Sequence, residues 1–162
     1  MRLRPASKGD LPDIASLWNH AIRETVETFN RLEKSPAELA ALLDEKEAAG
    51  HAFLVVEAGG FAGFGHYGQF RGGVGYAHTM EHTLYLAPAA RGRGLGRALL
   101  TALEDHARAR AVHSLLGGIA GENAPSVAFH ARMGYREVAT LPQVGFKFGR
   151  WMDLVLMQKI LS

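Results

Sequence analysis

A six-residue run, Arg91-Gly92-Arg93-Gly94-Leu95-Gly96, lies between a strand-like segment, Thr83-Leu84-Tyr85-Leu86, and a helix-like one, Ala98 to Ala111. No other stretch limits the fold as strongly. Strand, glycine-dense turn and helix make an α/β junction, and glycine at three alternating positions exceeds what a tight turn needs. A helix opening there exposes backbone N–H groups that lack intrahelical partners, at the positive end of its dipole. Those groups suit a phosphate or pyrophosphate. The run is not a Walker loop, since no Gly-Lys-Ser/Thr follows, and its glycine spacing differs from the dinucleotide fingerprint.

Around this junction the periodicities predict one domain spanning residues 1–162. Arg2 to Pro5 reads as a short strand. Leu11, Ile14, Leu17, Trp18, Ala21 and Ile22 recur at helical spacing, with Asp10 as the N-cap and Pro12 in the first turn. Residues 24 to 34 lose the period and read as a loop. Ser35-Pro36-Ala37-Glu38 has the form of a capping box, opening a helix that Gly50 stops. Ala52–Ala58, Phe61–Phe70 and Tyr76–Leu86 read as three strands, joined by Gly59-Gly60 and by a glycine-rich turn, Arg71 to Gly75. After the helix come a strand at Val112–Ala120 and a short helix capped by Asn123, ending at Gly134. A strand at Tyr135–Thr140, a loop at Leu141–Arg150 and a last strand at Trp151–Ile160 close the chain. The helix-linked crossovers imply an α/β fold, with a mixed sheet covered on both faces.

Composition removes several classes of function. The chain of 162 residues is 48% hydrophobic and 21% charged, ordinary for a folded domain, and its formal net charge of +2 is too small to argue for nucleic acid. With no cysteine there is no disulfide, thiolate metal site or cysteine nucleophile. The eight histidines include no helical His-x-x-x-His pair beside an acid, so no metal is expected. No apolar run reaches membrane-spanning length and the first residues lack a signal-peptide pattern, so the expected location is cytoplasmic.

The element order and the run Arg91-x-x-Gly94-x-Gly96 together resemble the GNAT superfamily of N-acetyltransferases. The likeness narrows at three further places. His78-Thr79-Met80-Glu81-His82-Thr83-Leu84-Tyr85-Leu86, Glu122 to His130, and Val144-Gly145-Phe146-Lys147-Phe148-Gly149-Arg150-Trp151-Met152-Asp153 are similar to the phosphinothricin and methionine sulfoximine N-acetyltransferases. Trp18-Asn19-His20 fits as well. The resemblance implies the GNAT (acyl-CoA N-acyltransferase) fold, with a mostly antiparallel mixed central sheet and helices on both faces. It also implies acetyl-CoA as co-substrate, no metal, and a homodimer. One departure stands out. The methionine sulfoximine branch carries Tyr-Arg-His-Thr before the glutamate, whereas this chain has Tyr76-Ala77-His78-Thr79. Ala77 leaves the reaction type in place and the exact amine open.

Roles follow by position. Gly92, Arg93, Gly94, Leu95, Gly96 and Arg97 are expected to hold the CoA pyrophosphate through backbone N–H groups, with Arg91 and Arg93 adding charge. Leu84, Tyr85 and Leu86 are expected to pair with the pantetheine arm through their backbones, as an added strand would; a plain core strand would show the same side-chain pattern. Asn123 is both a helix cap and a candidate CoA contact, and Arg132 is a second one. Glu81 is the candidate base for the amine, with burial expected to raise its pKa. His130 stands where many GNAT enzymes carry a tyrosine acid, and is read either as an acid or base or as a structural histidine. For the amine substrate the candidates are Arg71, whose fork suits a carboxylate or tetrahedral oxygens, the turn Val74, Gly75 and Tyr76, and Phe29 as an apolar wall. Arg71 as a solvated turn residue and Phe29 as a core aromatic are the plainer alternatives. Three functions follow: acetylation of a small amino acid analogue, acetylation of protein or peptide amines, or binding of acyl-CoA without turnover. A loop at 141–151 that closes over the site would favour the first.

Overall fold

The computed structural model describes residues 1–162. Seven strands form one sheet: β1 (Arg2–Pro5), β2 (Phe53–Glu57), β3 (Phe61–Gln69), β4 (Thr79–Leu86), β5 (Ser114–Ala120), β6 (Arg136–Lys147) and β7 (Arg150–Ile160). Their spatial order is β1-β2-β3-β4-β5-β7-β6. Every neighbouring pair is antiparallel except β4 with β5. That parallel pair is joined through a helical crossover, as parallel neighbours require.

Four helices cover the sheet: α1 (Leu11–Glu24), α2 (Pro36–Ala49), α3 (Leu95–Ala109) and α4 (Ala124–Arg132). On one face α1 and α2 bury Ile14, Trp18, Leu39 and Leu43 against Phe53, Val55, Phe64 and Tyr85. On the other, Leu100 and Leu103 of α3 pack on Tyr67, Met80, Leu115 and Ile119, with Val127 and Phe129 of α4 against the same cluster. The alternation along β4 sends Met80 to the α3 side and Tyr85 to the α1 side.

Local chemistry sets the ends of these elements. Ser35 accepts from the Glu38 N–H at 3.1 Å, and Gly50 ends α2 in the left-handed region at φ 71°. Asp10 does not cap α1 through its side chain. Its oxygens instead take both terminal nitrogens of Arg4 at 2.7 Å, and the Ser7 N–H at 2.8 Å. The Arg4 hydrogen bonds, foremost, hold its carboxyl down at about 2.

Three expectations need correction. The strand expected from Tyr76 begins at Thr79, because Val74–Tyr76 forms a single 3₁₀ turn. The helix after the glycine run starts at Leu95 rather than Ala98, since Gly94 at φ 79° already serves as its cap. The stretch 141–150 is largely strand. β6 keeps pairing with β7 to Lys147 through an irregularity between Leu141 and Gly145, and only Phe148-Gly149 turns the chain. Pro142 and two glycines, Gly145 and Gly149, read as a loop, yet the irregularity absorbs Pro142 and Gln143 without ending the strand.

Candidate active site

The parallel ladder between β4 and β5 stops at His82 opposite Gly117, after four residue pairs. Beyond it β4 remains paired to β3 as far as Leu86, and β5 to β7 as far as Ala120. The two strands splay, so the β5-facing backbone groups of Thr83–Leu86 have no strand partner. A cavity of about 690 Å³ fills the opening.

One end of the cavity is the start of α3. Gly92 and Gly94 take φ 73° and 79°, where side chains are strained, and Gly94 caps the helix without a side chain. The first intrahelical bond here is Ala98 N–H to Gly94 O at 3.1 Å, so the N–H groups of Leu95, Gly96 and Arg97 lack helical partners. Arg91, Gly92, Gly94, Gly96 and Arg97 line the cavity. Leu95 turns into the core with Val56 and Ala62, and the exposed Arg93 lies outside the lining. A Cβ on Gly96 would lie 3.3 Å from Leu86 Cδ1, so the helix start sits tightly on the end of β4.

Leu84, Tyr85 and Leu86 form the middle of the wall, with Asn123 and Arg132 across from them. Asn123 accepts from the Ser126 N–H at 3.3 Å as the cap of α4. The Tyr85 ring is buried beside Trp18 and Phe64, and burial, the main cause, pushes its hydroxyl up to about 12. Only the Tyr85 backbone is therefore presented for pairing.

Glu81, earlier on β4, also lines the cavity, as do Val26, Glu27, Thr28 and Phe29 of the segment after α1. Glu81 takes part in no ion pair, and burial alone raises its pKa. Gly118 leaves room for it: a Cβ there would lie 2.9 Å from Glu81 Oε2. His130 lines the cavity too. Its Nδ1 lies 2.8 Å from the Ser126 carbonyl oxygen, which only accepts, so Nδ1 carries the proton. Its Nε2 lies 3.2 Å from His82 Nε2. Burial lowers the proton affinity of both rings, His82 to about 3.

Four of the five substrate candidates also lie outside this cavity. Arg71, Val74, Gly75 and Tyr76 stand on an exposed turn, with Val74 93% exposed and the Arg71 guanidinium 5.7 Å from the centre of the Tyr76 ring. The sequence reading missed Glu27, whose Oε1 accepts from Arg91 Nη2 at 2.8 Å and ties the segment after α1 to the glycine run. It also passed over Gly117 and Gly118, although paired glycines inside a strand signal close approach of other groups.

The family model described as acetyltransferase (GNAT) family matches residues 14–135. An L-methionine sulfoximine/L-methionine sulfone acetyltransferase of Salmonella typhimurium is 38% identical over 159 residues, covering 98% of this chain and 93% of the relative. A solved ribosomal-protein-alanine N-acetyltransferase from Brucella melitensis superposes with a TM-score of 0.96 at 40% identity, over 99% of both chains. A phosphinothricin acetyltransferase from Sinorhizobium meliloti, solved in complex with AcCoA, superposes with a TM-score of 0.94 at 31% identity, over 99% of this chain and 88% of that one. A matched GNAT model over most of the chain, full-length relatives named for N-acetyl transfer and a sheet splayed beside a glycine-capped helix converge: this chain is an N-acetyltransferase of the GNAT family.

Proposed function

We propose that the protein transfers an acetyl group from acetyl-CoA to the α-amine of a small amino acid analogue, of the methionine sulfoximine, methionine sulfone or phosphinothricin type. One observation carries the reading: a single cavity joins the unpartnered N–H groups at the start of α3 to the Glu81 carboxylate, along the unpaired edge of β4. The pyrophosphate would rest on residues 92 to 97 with Arg91 and Arg97, and the pantetheine arm would pair along Leu84–Leu86, near Asn123 and Arg132.

The layout supports direct attack. Glu81 takes a proton from the substrate ammonium, itself or through water, and the freed amine adds to the thioester carbon. Backbone N–H groups on the open edge of β4 stabilise the oxyanion. The C–S bond then breaks, and the thiolate leaves with the second amine proton as free thiol. No acyl-enzyme is needed, in a chain without cysteine. His130 enters as part of the wall rather than as a proton donor, because its N–H is committed to Ser126 and its other nitrogen faces His82.

The amine side chain would meet Phe29. Arg71, Val74, Gly75 and Tyr76, outside the cavity of their own chain, could meet an amine from a second copy. A homodimer also suits the exposed apolar run on β6 and β7, namely Val138, Leu141, Val144, Phe146 and Trp151.

The test measures CoA release from acetyl-CoA with methionine sulfoximine, methionine sulfone, phosphinothricin, polyamines and peptides. Turnover confined to the three amino acid analogues supports the reading. The Brucella neighbour's name favours a second reading, in which a protein N-terminal alanine is the acceptor. Release with an alanine-initiated peptide alone would select it, and tight CoA binding without turnover on any amine would leave a non-catalytic binder.

A further inference from the structure

The Gly145-Phe146-Lys147 stretch, part of the third segment of the sequence resemblance, contributes no side chain to the cavity lining. It meets instead the segment that follows α1. Lys147 is 2% exposed and forms no salt bridge. Its ammonium donates to the carbonyl oxygens of Thr25 at 2.6 Å, Thr28 at 2.7 Å and Ala21 at 3.4 Å. Three protons thus meet three acceptors, at the C-terminal end of α1 and along the segment after it. Burying an ammonium without a carboxylate partner is costly, and only such saturation makes it tolerable. Gly145 precedes Lys147 by two residues on the same strand. A Cβ there would lie 2.5 Å from Phe29 Cδ2 and 2.7 Å from Cε2 and Cγ, so the Phe29 ring rests directly on the β6 backbone.

The segment held this way supplies Val26, Glu27, Thr28 and Phe29 to the cavity. It has no helix or strand of its own from Thr25 to Lys34. We infer that Lys147 is a positioning residue and Gly145 a specificity determinant: together they seat Phe29 and so fix which amine side chains the enzyme accepts. This rests on the reading that the Glu81 and Phe29 end of the cavity receives the amine.

The experiment compares Lys147→Met, Gly145→Ala, Phe29→Ala and the double variant Gly145→Ala/Phe29→Ala with the parent. Steady-state kinetics use methionine sulfone and acetyl-CoA. Trypsin cleavage after the exposed Arg31 serves as a readout that needs no substrate. Expected are a rise of about tenfold or more in the KM for methionine sulfone in both β6 variants, and a KM for acetyl-CoA within about twofold of the parent. Lys147→Met also speeds cleavage at Arg31 by about tenfold, and Gly145→Ala has no further effect once Phe29 is removed. An amine KM unchanged in both β6 variants overturns the inference, as does a joint fall of kcat and both affinities with a lost thermal transition. If the parent turns over only a peptide, the proposed amine class fails. The cleavage rate then decides the positioning role alone, and an unchanged rate overturns it.

Discussion

The rings of His82 and His130 lie parallel within 3°, with their Nε2 atoms 3.2 Å apart. Two N–H groups cannot face each other at that distance. Because His130 Nδ1–H is held by Ser126 O, His82 must supply the Nε2 proton and keep a bare Nδ1, which is buried without a partner. Gly117 makes the stack possible, since a Cβ there would lie 3.0 Å from His82 Nε2 and 3.2 Å from His130 Nε2.

This pair predicts an acid-sensitive fold. His82 and the equally buried His66 are held near 3 by burial, and His130 is lowered in the same direction. Folded values lie below the unfolded value of about 6.5, so the unfolded chain binds more protons in that window. Stability is full above about pH 6.5 and falls as pH drops towards 3, by up to about 1.4 kcal/mol per pH unit for each histidine. Thermal melts from pH 7 to pH 4 should show the decline, with a shallower slope in His82→Phe. An identical slope in that variant would remove the pair from the explanation.

Glu81→Gln removes the proposed base and keeps the shape. The expected loss in kcat is about 10²- to 10⁴-fold, with little change in the affinity for acetyl-CoA. Because burial raises the Glu81 pKa, the parent's activity should climb with pH through that raised value, and the Gln variant should lose this acid limb. A pH–rate profile of the two proteins checks both statements. A variant retaining parental turnover would rule out Glu81 as base.

Glu104 is 2% exposed and lies 2.8 Å from Lys159 Nζ, which also donates to the Met133 carbonyl at 2.8 Å. Lys159→Met would leave the carboxylate buried and unpaired, costing about 3–5 kcal/mol. Denaturant melts measure this directly. Replacing both with apolar residues, as in Glu104→Leu/Lys159→Met, should restore much of the loss.

Gly63 faces the end of β4 so closely that a Cβ would lie 2.4 Å from the Tyr85 carbonyl oxygen and 3.1 Å from Leu86 Cα. Backbone cannot yield as a side chain does, so Gly63→Ala should displace the strand end expected to pair with pantetheine. The KM for acetyl-CoA should rise severalfold more than that for the amine. Equal shifts in both would point to a general loss of fold instead.

Much of this architecture could be read from one sequence, because its punctuation is strong. Ser35 with Glu38, Gly50, Gly59-Gly60 and Asn123 each bound an element through local chemistry that acts without tertiary context. The 141–150 stretch failed for the converse reason: Pro142, Gly145 and Gly149 imitate a loop, while pairing with β7 keeps most of it extended. Within the site, Glu81, Phe29, His130 and most of the glycine run converge because β4, the segment after α1, α4 and the start of α3 all border the opening between β4 and β5. Glu27 and Lys147 stayed invisible since their partners lie 64 and 119 to 126 residues away. The turn at Arg71 shows the opposite limit: its residue types suggested a binding role, yet a single chain does not bring them to the cavity.

The four rungs between β4 and β5 have a mechanical consequence. They are the only strand pairing between the first four strands and the last three, so the sheet is built as two plates with a short seam and an open notch. A thioester arm lying in the notch, as proposed, would add rungs of its own and stitch the plates further along. Loading acetyl-CoA would then stiffen the domain as well as supply the acetyl group, and cofactor occupancy would be legible in the slowing of amide exchange on both sides of the seam.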